Sequence, residues 1–131
     1  MHITLEADYA VRIVNCLSQH QVRMDAKSLA AATGVTLRFS LKILRKLVAE
    51  GIVRSYKGTQ GGYELAKPAG EITLGQVIET VEGPITISRC VGGGDYRCTR
   101  VDDRTECRFS RTYEEIARLV RERLYAVHFG E

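Results

Sequence analysis

Three of the four cysteines fall within one short segment, where their spacing could support metal or redox chemistry. Cys90, Cys98 and Cys107 are separated by seven and eight residues, and residues 88–110 show neither helical nor strand periodicity. Structural zinc sites generally use close cysteine pairs, and the chain has none, so zinc is not favoured. The spacing suits a loop wrapped around a larger group, such as an iron–sulfur cluster. The alternative, a polar loop whose cysteines occur there by chance, explains their clustering less well.

Glycines and arginines accompany these cysteines. The three consecutive glycines at 92–94 would let the backbone fold back and bring its amides close to cluster sulfides. Arg89, Arg97 and Arg108 each stand next to one of the cysteines. Near the sulfur atoms, such charges would favour thiolates and offset the negative charge of a cluster.

The fourth cysteine, Cys16, lies within the first predicted helix, where it shares one side with Ile13 and Leu17. This position predicts a buried and unreactive thiol. Asp8 and Arg12 fall on the opposite side, one helical turn apart, and their spacing predicts an exposed ion pair.

Residues 26–65 contain the elements that must position any such chemistry. Their pattern predicts a short helix, a tight turn at Gly34, a longer amphipathic helix, and two strands joined by a glycine-rich loop. Asp25 and Thr36 are placed to cap the two helices. The predicted inner face of the second helix contains Leu37, Leu41, Ile43, Leu44, Leu47 and Val48. The segment is therefore identified as a winged helix-turn-helix.

The opposite face of the second helix is basic. Most charged helix faces are only solvated, but this helix fits the DNA major groove and the wing would reach the adjacent backbone. The predicted DNA contacts are Thr36, Arg38, Ser40 and Lys42 near the groove, and Lys57, Thr59 and Gln60 at the wing.

The composition permits a nucleic-acid partner without requiring one. The 131 residues include 19 basic and 16 acidic side chains, a net charge of +3, and the basic residues cluster in residues 38–57. No apolar run is long enough to cross a membrane, and no signal-peptide core is present, so we expect a cytoplasmic protein. We find no nucleophile elbow, phosphate loop or His-x-x-x-His pattern, and we expect neither an enzyme nor a small-molecule substrate.

Two further helices are predicted after the wing. One begins at Thr73 and ends at Gly83, and the other runs through residues 109–129 with an apolar residue every three or four positions. The long apolar seam favours a homodimer, and packing against the first helix is the alternative. The predicted organisation is a DNA-binding domain at 1–84, a cysteine-rich loop at 85–108 and a dimerisation helix at 109–131.

The order and spacing of several motifs resemble the Rrf2 family of bacterial transcription regulators, over essentially the whole chain. These motifs are ITLEADYAVRIV, RFSLKILRKLVAEGIVRS, KGTQGGYELAKP, EITLGQVIETVEGP and the three-cysteine loop before a long helix. The resemblance implies a dimeric winged-helix protein that binds a double-stranded DNA operator and whose C-terminal helices cross in the dimer. In the iron–sulfur members, the matching loop cysteines hold a [2Fe-2S] or [4Fe-4S] cluster.

The resemblance also suggests a fourth cluster ligand. Some members place a histidine three residues after the last cysteine, but this chain has Ser110 there. Members similar to the nitric-oxide sensor use an acidic residue early in the partner's first helix, and Asp8 stands at that position. A carboxylate is a harder ligand than a thiolate, so a cluster held by three cysteines and Asp8 would be labile and suited to sensing.

The expected mechanism couples cluster status to the separation of the two recognition helices, and hence to operator affinity. A regulator of the same fold without a cluster, switched by cysteine oxidation or by a protein partner, is the alternative. A ferredoxin-like electron carrier is disfavoured, because the basic helix-turn-helix would then have no role.

Overall fold

The computed structural model describes residues 2–88 and 107–130, which form a mostly helical fold with a small antiparallel wing, as predicted. The helices in this part of the chain are α1 (Leu5–His20), α2 (Ala26–Thr33), α3 (Leu37–Ala49), α4 (Leu74–Glu82) and α5 (Arg108–Tyr125). The strands are β1 (Val53–Tyr56) and β2 (Gly62–Leu65). The three-part division of the chain stays a prediction, because residues 89–106 lie outside the described ranges.

The predicted caps form at both helices of the helix-turn-helix. Asp25 accepts a hydrogen bond from the backbone amide of Ser28 at 2.7 Å, and Thr36 accepts one from that of Phe39 at 3.2 Å. Gly34 ends α2 with a positive φ of 75°, a conformation that glycine adopts without strain. The sequence thus fixes locally where α2 ends and where α3 begins.

The core lies where α1 packs against α3 and α4, and α2 closes one side of it. Each fully buried aliphatic side chain stabilises the fold by roughly 1.5–3 kcal/mol. The fully buried aliphatic residues of this core include Ile13, Val14, Leu17, Leu29, Ile43, Leu44, Leu47, Ile72 and Val77. Cys16 is also buried in this cluster, as predicted.

The wing is attached to the link between α1 and α2. Its strands pair in antiparallel register from Val53 opposite Leu65 to Tyr56 opposite Gly62. On the other side of β2, Tyr63 exchanges two backbone hydrogen bonds with Met24, at 3.0 and 2.8 Å. The base of the wing is therefore fixed relative to the helix-turn-helix.

The end of the last helix differs from the prediction. The sequence pattern predicts a helix through residue 129, but α5 ends at Tyr125. Val127 then accepts a backbone hydrogen bond from Leu74 at 2.9 Å, and Phe129 donates one to Ile72 at 3.1 Å. Val127 fits the helical period, but its backbone carbonyl and the backbone amide of Phe129 are instead satisfied by Leu74 at the start of α4 and by Ile72.

Helix α5 docks through its C-terminal turn and leaves an apolar face exposed. The ring of Tyr125 packs on Gly75, where a Cβ atom would lie 2.1 Å from the ring, so the close approach requires glycine. Within α5 only Ser110 and Ala117 are buried. The exposed apolar side chains are Phe109, Ile116, Leu119 and Val120, with exposed fractions of 44%, 39%, 50% and 37%. None of the described helices has the length and apolar character of a membrane-spanning helix.

Candidate nucleic-acid interface and metal ligands

The outer face of α3 combines basic and apolar side chains. The buried residues of this helix are Ser40, Ile43, Leu44 and Leu47, so the inner face is rotated from the predicted one. Leu37 and Leu41, predicted to be internal, are 38% and 40% exposed. They line an open cleft of about 700 Å³ together with Thr36, Arg38, Phe39, Lys42 and Arg45. The residues predicted to meet the groove lie on this face, except for Ser40.

The structure corrects the expectation for Ser40. Its side chain is fully buried, and its hydroxyl has no hydrogen-bond partner among the described residues. Ser40 precedes Ile43 by three residues and Leu44 by four, which places it in the middle of the buried stripe. A side chain in this position cannot contact DNA directly, so the prediction of Ser40 as a DNA contact is wrong.

Glu6 of α1 partly balances the charge of α3. Its Oε1 lies 2.8 Å from Lys46 Nζ and 4.0 Å from Lys42 Nζ. Arg38 and Arg45 form no ion pair with another residue in the described ranges. The uncompensated positive charge of α3 is therefore concentrated on these two arginines.

The wing lies beside the same face of α3. Lys57, Thr59 and Gln60 are exposed in the loop that joins β1 to β2. A groove of about 260 Å³ separates α3 from the strands, and it is lined by Leu41, Arg45, Val48, Ser55 and Tyr63. One continuous surface therefore includes the outer face of α3 and the wing.

Two further arginines adjoin the wing and were missed as candidates from the sequence. The guanidinium carbon of Arg23 lies 3.4 Å from the centroid of the Tyr56 ring, and its Nε is 3.8 Å from Glu64 Oε2. Arg54 is exposed on β1, and its interaction with the Tyr56 hydroxyl raises the pKa of its guanidinium. In the sequence, only their positive charge indicated a possible DNA contact, because neither residue lies in α3 or in the loop of the wing.

The predicted metal ligands are only partly within the described residues. Cys107 is 7% exposed and occupies the N-cap position of α5. Asp8 is half-exposed and pairs with Arg12 at 3.0 Å, which confirms the predicted ion pair. Cys90 and Cys98 lie outside the described residues, and the grouping of the three cysteines stays a prediction. The position of Cys107 fits a negatively charged cluster, because the positive end of the α5 dipole would face it.

A carboxylate on α4 joins the two chain segments that flank residues 89–106. Glu79 accepts hydrogen bonds from the Tyr125 hydroxyl and, at 2.9 Å, from the backbone amide of Ile85, and Arg121 Nε lies 3.3 Å away. Burial opposes ionisation of Glu79, but these partners outweigh it and hold the pKa of the carboxyl below its usual value. Both α5 and the start of the cysteine segment are thus attached to α4.

Comparison with known protein families assigns the chain to one of them over almost its whole length. The model of the Rrf2 family, described as iron-dependent transcriptional regulators, matches residues 3–131. This chain belongs to the Rrf2 family. A Mycobacterium tuberculosis protein named as a candidate HTH-type transcriptional regulator is 38% identical to the Rrf2 chain over 99 residues. That match covers 72% of the chain and 60% of the relative, so the chain spans less than two thirds of the relative's length.

Solved structures confirm the Rrf2 fold. IscR of T. potens superposes with a TM-score of 0.75 at 22% identity, covering 98% of this chain and 83% of IscR. CymR, described as the global cysteine regulator of B. subtilis, gives a TM-score of 0.76 at 21% identity, with coverage of 98% and 93%. At these identities the likeness concerns the fold alone. The family comprises transcriptional regulators, which confirms the expectation that the chain is not an enzyme.

Proposed function

We propose that this Rrf2 protein is a DNA-binding transcriptional regulator whose operator affinity is controlled by an iron–sulfur cluster held by Cys90, Cys98 and Cys107. The main support for DNA binding is the continuous basic surface made by α3 and the wing. The support for the cluster is the sequence spacing of the three cysteines and the position of Cys107 at the positive end of α5.

The outer face of α3 is the part of this surface suited to the major groove. Arg38 lies in the first turn of the helix, near its free backbone amides, and is not neutralised by a described acidic residue. An arginine there can donate two hydrogen bonds to a guanine edge, and Leu37 or Leu41 can contact a thymine methyl group. Lys42 shares Glu6 with Lys46 and is better suited to a phosphate.

The wing supplies the sequence-independent part of the affinity. Lys57, Thr59 and Gln60 are exposed on its loop, and Arg54 adds a charge on β1. Such side chains hold phosphates and fix the orientation of the protein on the duplex. Thr36 already accepts a hydrogen bond from Phe39, but its hydroxyl proton stays available to donate to a phosphate.

Dimerisation is supported by the apolar face of α5. Four large apolar side chains along this helix are more than one third exposed in the single chain, a pattern more typical of an interface than of a solvated helix. A two-fold dimer would present two copies of α3 to half-sites about 34–36 Å apart. We propose that the partner's α5 covers this face.

The cluster proposal assigns separate roles to the surrounding residues. The three cysteines would hold the group, and Asp8 of the partner subunit is the proposed fourth ligand. When bound, an iron–sulfur cluster supplies a redox-active group that is lost or oxidised more readily if one ligand is a carboxylate. Glu79 attaches α5 and the start of the cysteine segment to α4, and α4 packs on α3. These packed elements connect Cys107, at the start of α5, to the DNA-binding face.

Replacement of Arg38 by alanine tests the proposed reading of bases. The operator is first selected from random-sequence DNA with the wild-type protein. We expect Arg38→Ala to lower operator affinity roughly 10–100-fold, since a bidentate contact contributes about 1–3 kcal/mol of discrimination, and to affect random DNA much less. Lys57→Ala should weaken binding to both DNAs equally and reduce the salt slope by about 1. Fluorescence anisotropy at several salt concentrations measures both effects.

Arg118 provides a matched control. Arg118 lies on α5, where it pairs with Glu122 at 2.9 Å. Its replacement by alanine removes one positive charge, as Arg38→Ala does, but at a position outside α3 and the wing. Arg118→Ala is expected to bind the operator like the wild type. An equal loss of affinity for operator and random DNA in Arg38→Ala would contradict the role of Arg38 in reading bases.

A further inference from the structure

A second group of sulfur and nitrogen donors lies at the C-terminal end of α1, outside the residues predicted to hold the cluster. The Sγ atom of Cys16 is 3.9 Å from Met24 Sδ and 3.6 Å from His20 Nδ1. The described residues contain no group of three or more His, Cys, Asp or Glu side chains that could hold a metal. This group differs because its third donor is a thioether.

The surrounding fold holds the donors in place and leaves one side open. Cys16 and His20 are one helical turn apart on α1, so their side chains lie on the same side of the helix. The backbone of Met24 is fixed by its two hydrogen bonds with Tyr63 at the base of the wing. Cys16 is 7% exposed, Met24 is half-buried and His20 is exposed, so an ion would enter from the histidine side.

The two donor distances that involve Cys16 are each short enough for the two donors to share a metal ion. Metal–thiolate bonds are about 2.3 Å long and metal–imidazole bonds about 2.0–2.1 Å. With metal–sulfur bonds of that length to Cys16 and Met24, the two bonds would meet at about 115°. The corresponding angle for the Cys16 and His20 pair is about 110°. Three- and four-coordinate metal ions adopt angles of this size.

We propose that Cys16, His20 and Met24 form a binding site for monovalent copper. Thiolate and thioether sulfurs are soft ligands and select Cu(I), whereas zinc sites use thiolate, imidazole and carboxylate groups. On binding, the Cys16 thiol releases its proton to solvent and copper stays in the +1 state. The imidazole gives up its 2.8 Å contact with the Cys16 carbonyl and presents the Nδ1 lone pair, with its proton on Nε2.

Burial of Cys16 affects the competition between a proton and a metal ion for its sulfur atom. It raises the pKa of the Cys16 thiol, so the protonated form is favoured without metal and the ion must displace the proton. The alternative is that Cys16 and Met24 only pack together, since Cys16 belongs to the core and Met24 packs against it. Packing depends on shape, whereas metal binding depends on the donor atoms, and the substitution Met24→Leu separates these two roles.

The test is an oxygen-free titration of the full-length protein with Cu(I) in competition with bathocuproine disulfonate. Met24→Leu keeps the side-chain volume and removes only the thioether. We expect the wild type to bind one Cu(I) ion per chain at this site. Met24→Leu and Cys16→Ala should bind this ion at least about 100-fold more weakly, because even the loss of an outer-shell partner reduces metal affinity 10–100-fold. X-ray absorption should show one fewer sulfur around copper at this site in Met24→Leu.

Controls distinguish this site from the loop cysteines and from general folding effects. Cys98→Ala removes a loop donor and should retain the Cu(I) ion that Met24→Leu loses. His2→Gln removes a histidine outside the group and should bind like wild type. Circular dichroism confirms that Met24→Leu is folded. Equal Cu(I) binding by wild type and Met24→Leu would overturn the proposal, and an equal loss of Zn(II) binding in Met24→Leu would overturn the assignment to copper.

Discussion

Protein purified without oxygen is expected to show broad visible absorption and bound iron and sulfide, and the variant Cys98→Ala is expected to lose them. The three cysteines of the loop provide all the thiolate ligands of the proposed cluster, and the remaining ligand is a weaker carboxylate. Loss of one thiolate should therefore reduce bound iron by at least about tenfold, the scale on which even outer-shell changes affect metal sites. Visible and electron paramagnetic resonance spectra, with iron and sulfide analysis per chain, provide the measurement.

Cys16→Ala is the matched control for this experiment. Cys16 is buried on α1 and is not one of the proposed cluster ligands, so this variant should keep the wild-type spectrum. Full retention of iron by Cys98→Ala would contradict the ligand assignment. A colourless, iron-free wild-type protein that still binds DNA would contradict the cluster itself and favour a switch based on cysteine oxidation or a protein partner.

Introduction of a charge on the exposed face of α5 is expected to separate the proposed dimer. Leu119 is half-exposed in the single chain and lies beside Ile116 and Val120 on the same face. In Leu119→Glu a dimer would bury an unpaired carboxylate, a change that destabilises by roughly 3–5 kcal/mol. We expect a monomer at micromolar concentration and at least about a 100-fold loss of operator affinity, because the two half-sites would no longer be bound together. Sedimentation velocity and anisotropy measure the two quantities.

Val22→Glu is the corresponding control. Val22 is also an exposed apolar residue, 59% exposed, but it lies between α1 and α2 rather than on α5. This variant carries the same new charge and should remain dimeric. A dimeric Leu119→Glu protein would contradict the assignment of the α5 face as the interface.

The elements that depend on local signals could be predicted from the sequence. The caps at Asp25 and Thr36, the turn at Gly34 and the wing all form as expected, because short-range hydrogen bonds and backbone freedom determine them. The predicted start of a helix at Thr73 is also correct, and in the structure Thr73 and Gln76 form a capping box there. These features require no knowledge of distant contacts.

The features that depend on distant contacts were harder to predict. Periodicity gives the existence of an inner face but not its centre, and Ser40 lies at that centre while Leu37 and Leu41 lie outside. Val127 continues the helical pattern, but backbone pairing of Val127 and Phe129 with Leu74 and Ile72 ends the helix earlier. Contacts between residues far apart in sequence override the local pattern in both cases.

Part of the candidate site could be inferred from charge and spacing. Arg38 and Lys42 are on the outer face of α3 as predicted, because basic residues spaced by four share one side of a helix. The approach of Arg23 to Tyr56 could not be inferred, since it depends on how β2 pairs with Met24. The closeness of the Cys16, His20 and Met24 side chains could not be inferred either, because it depends on the turn that follows α1.

Control of operator affinity by the cluster is measured by comparing DNA binding with and without bound iron. The same preparation is measured by anisotropy on its selected operator without oxygen, first with iron bound and then after the iron has been removed by oxidation and chelation. Allosteric coupling of about 1–3 kcal/mol corresponds to a change of roughly 5–150-fold in affinity, and we expect a change within this range. Equal operator affinity in the two states would contradict the claim.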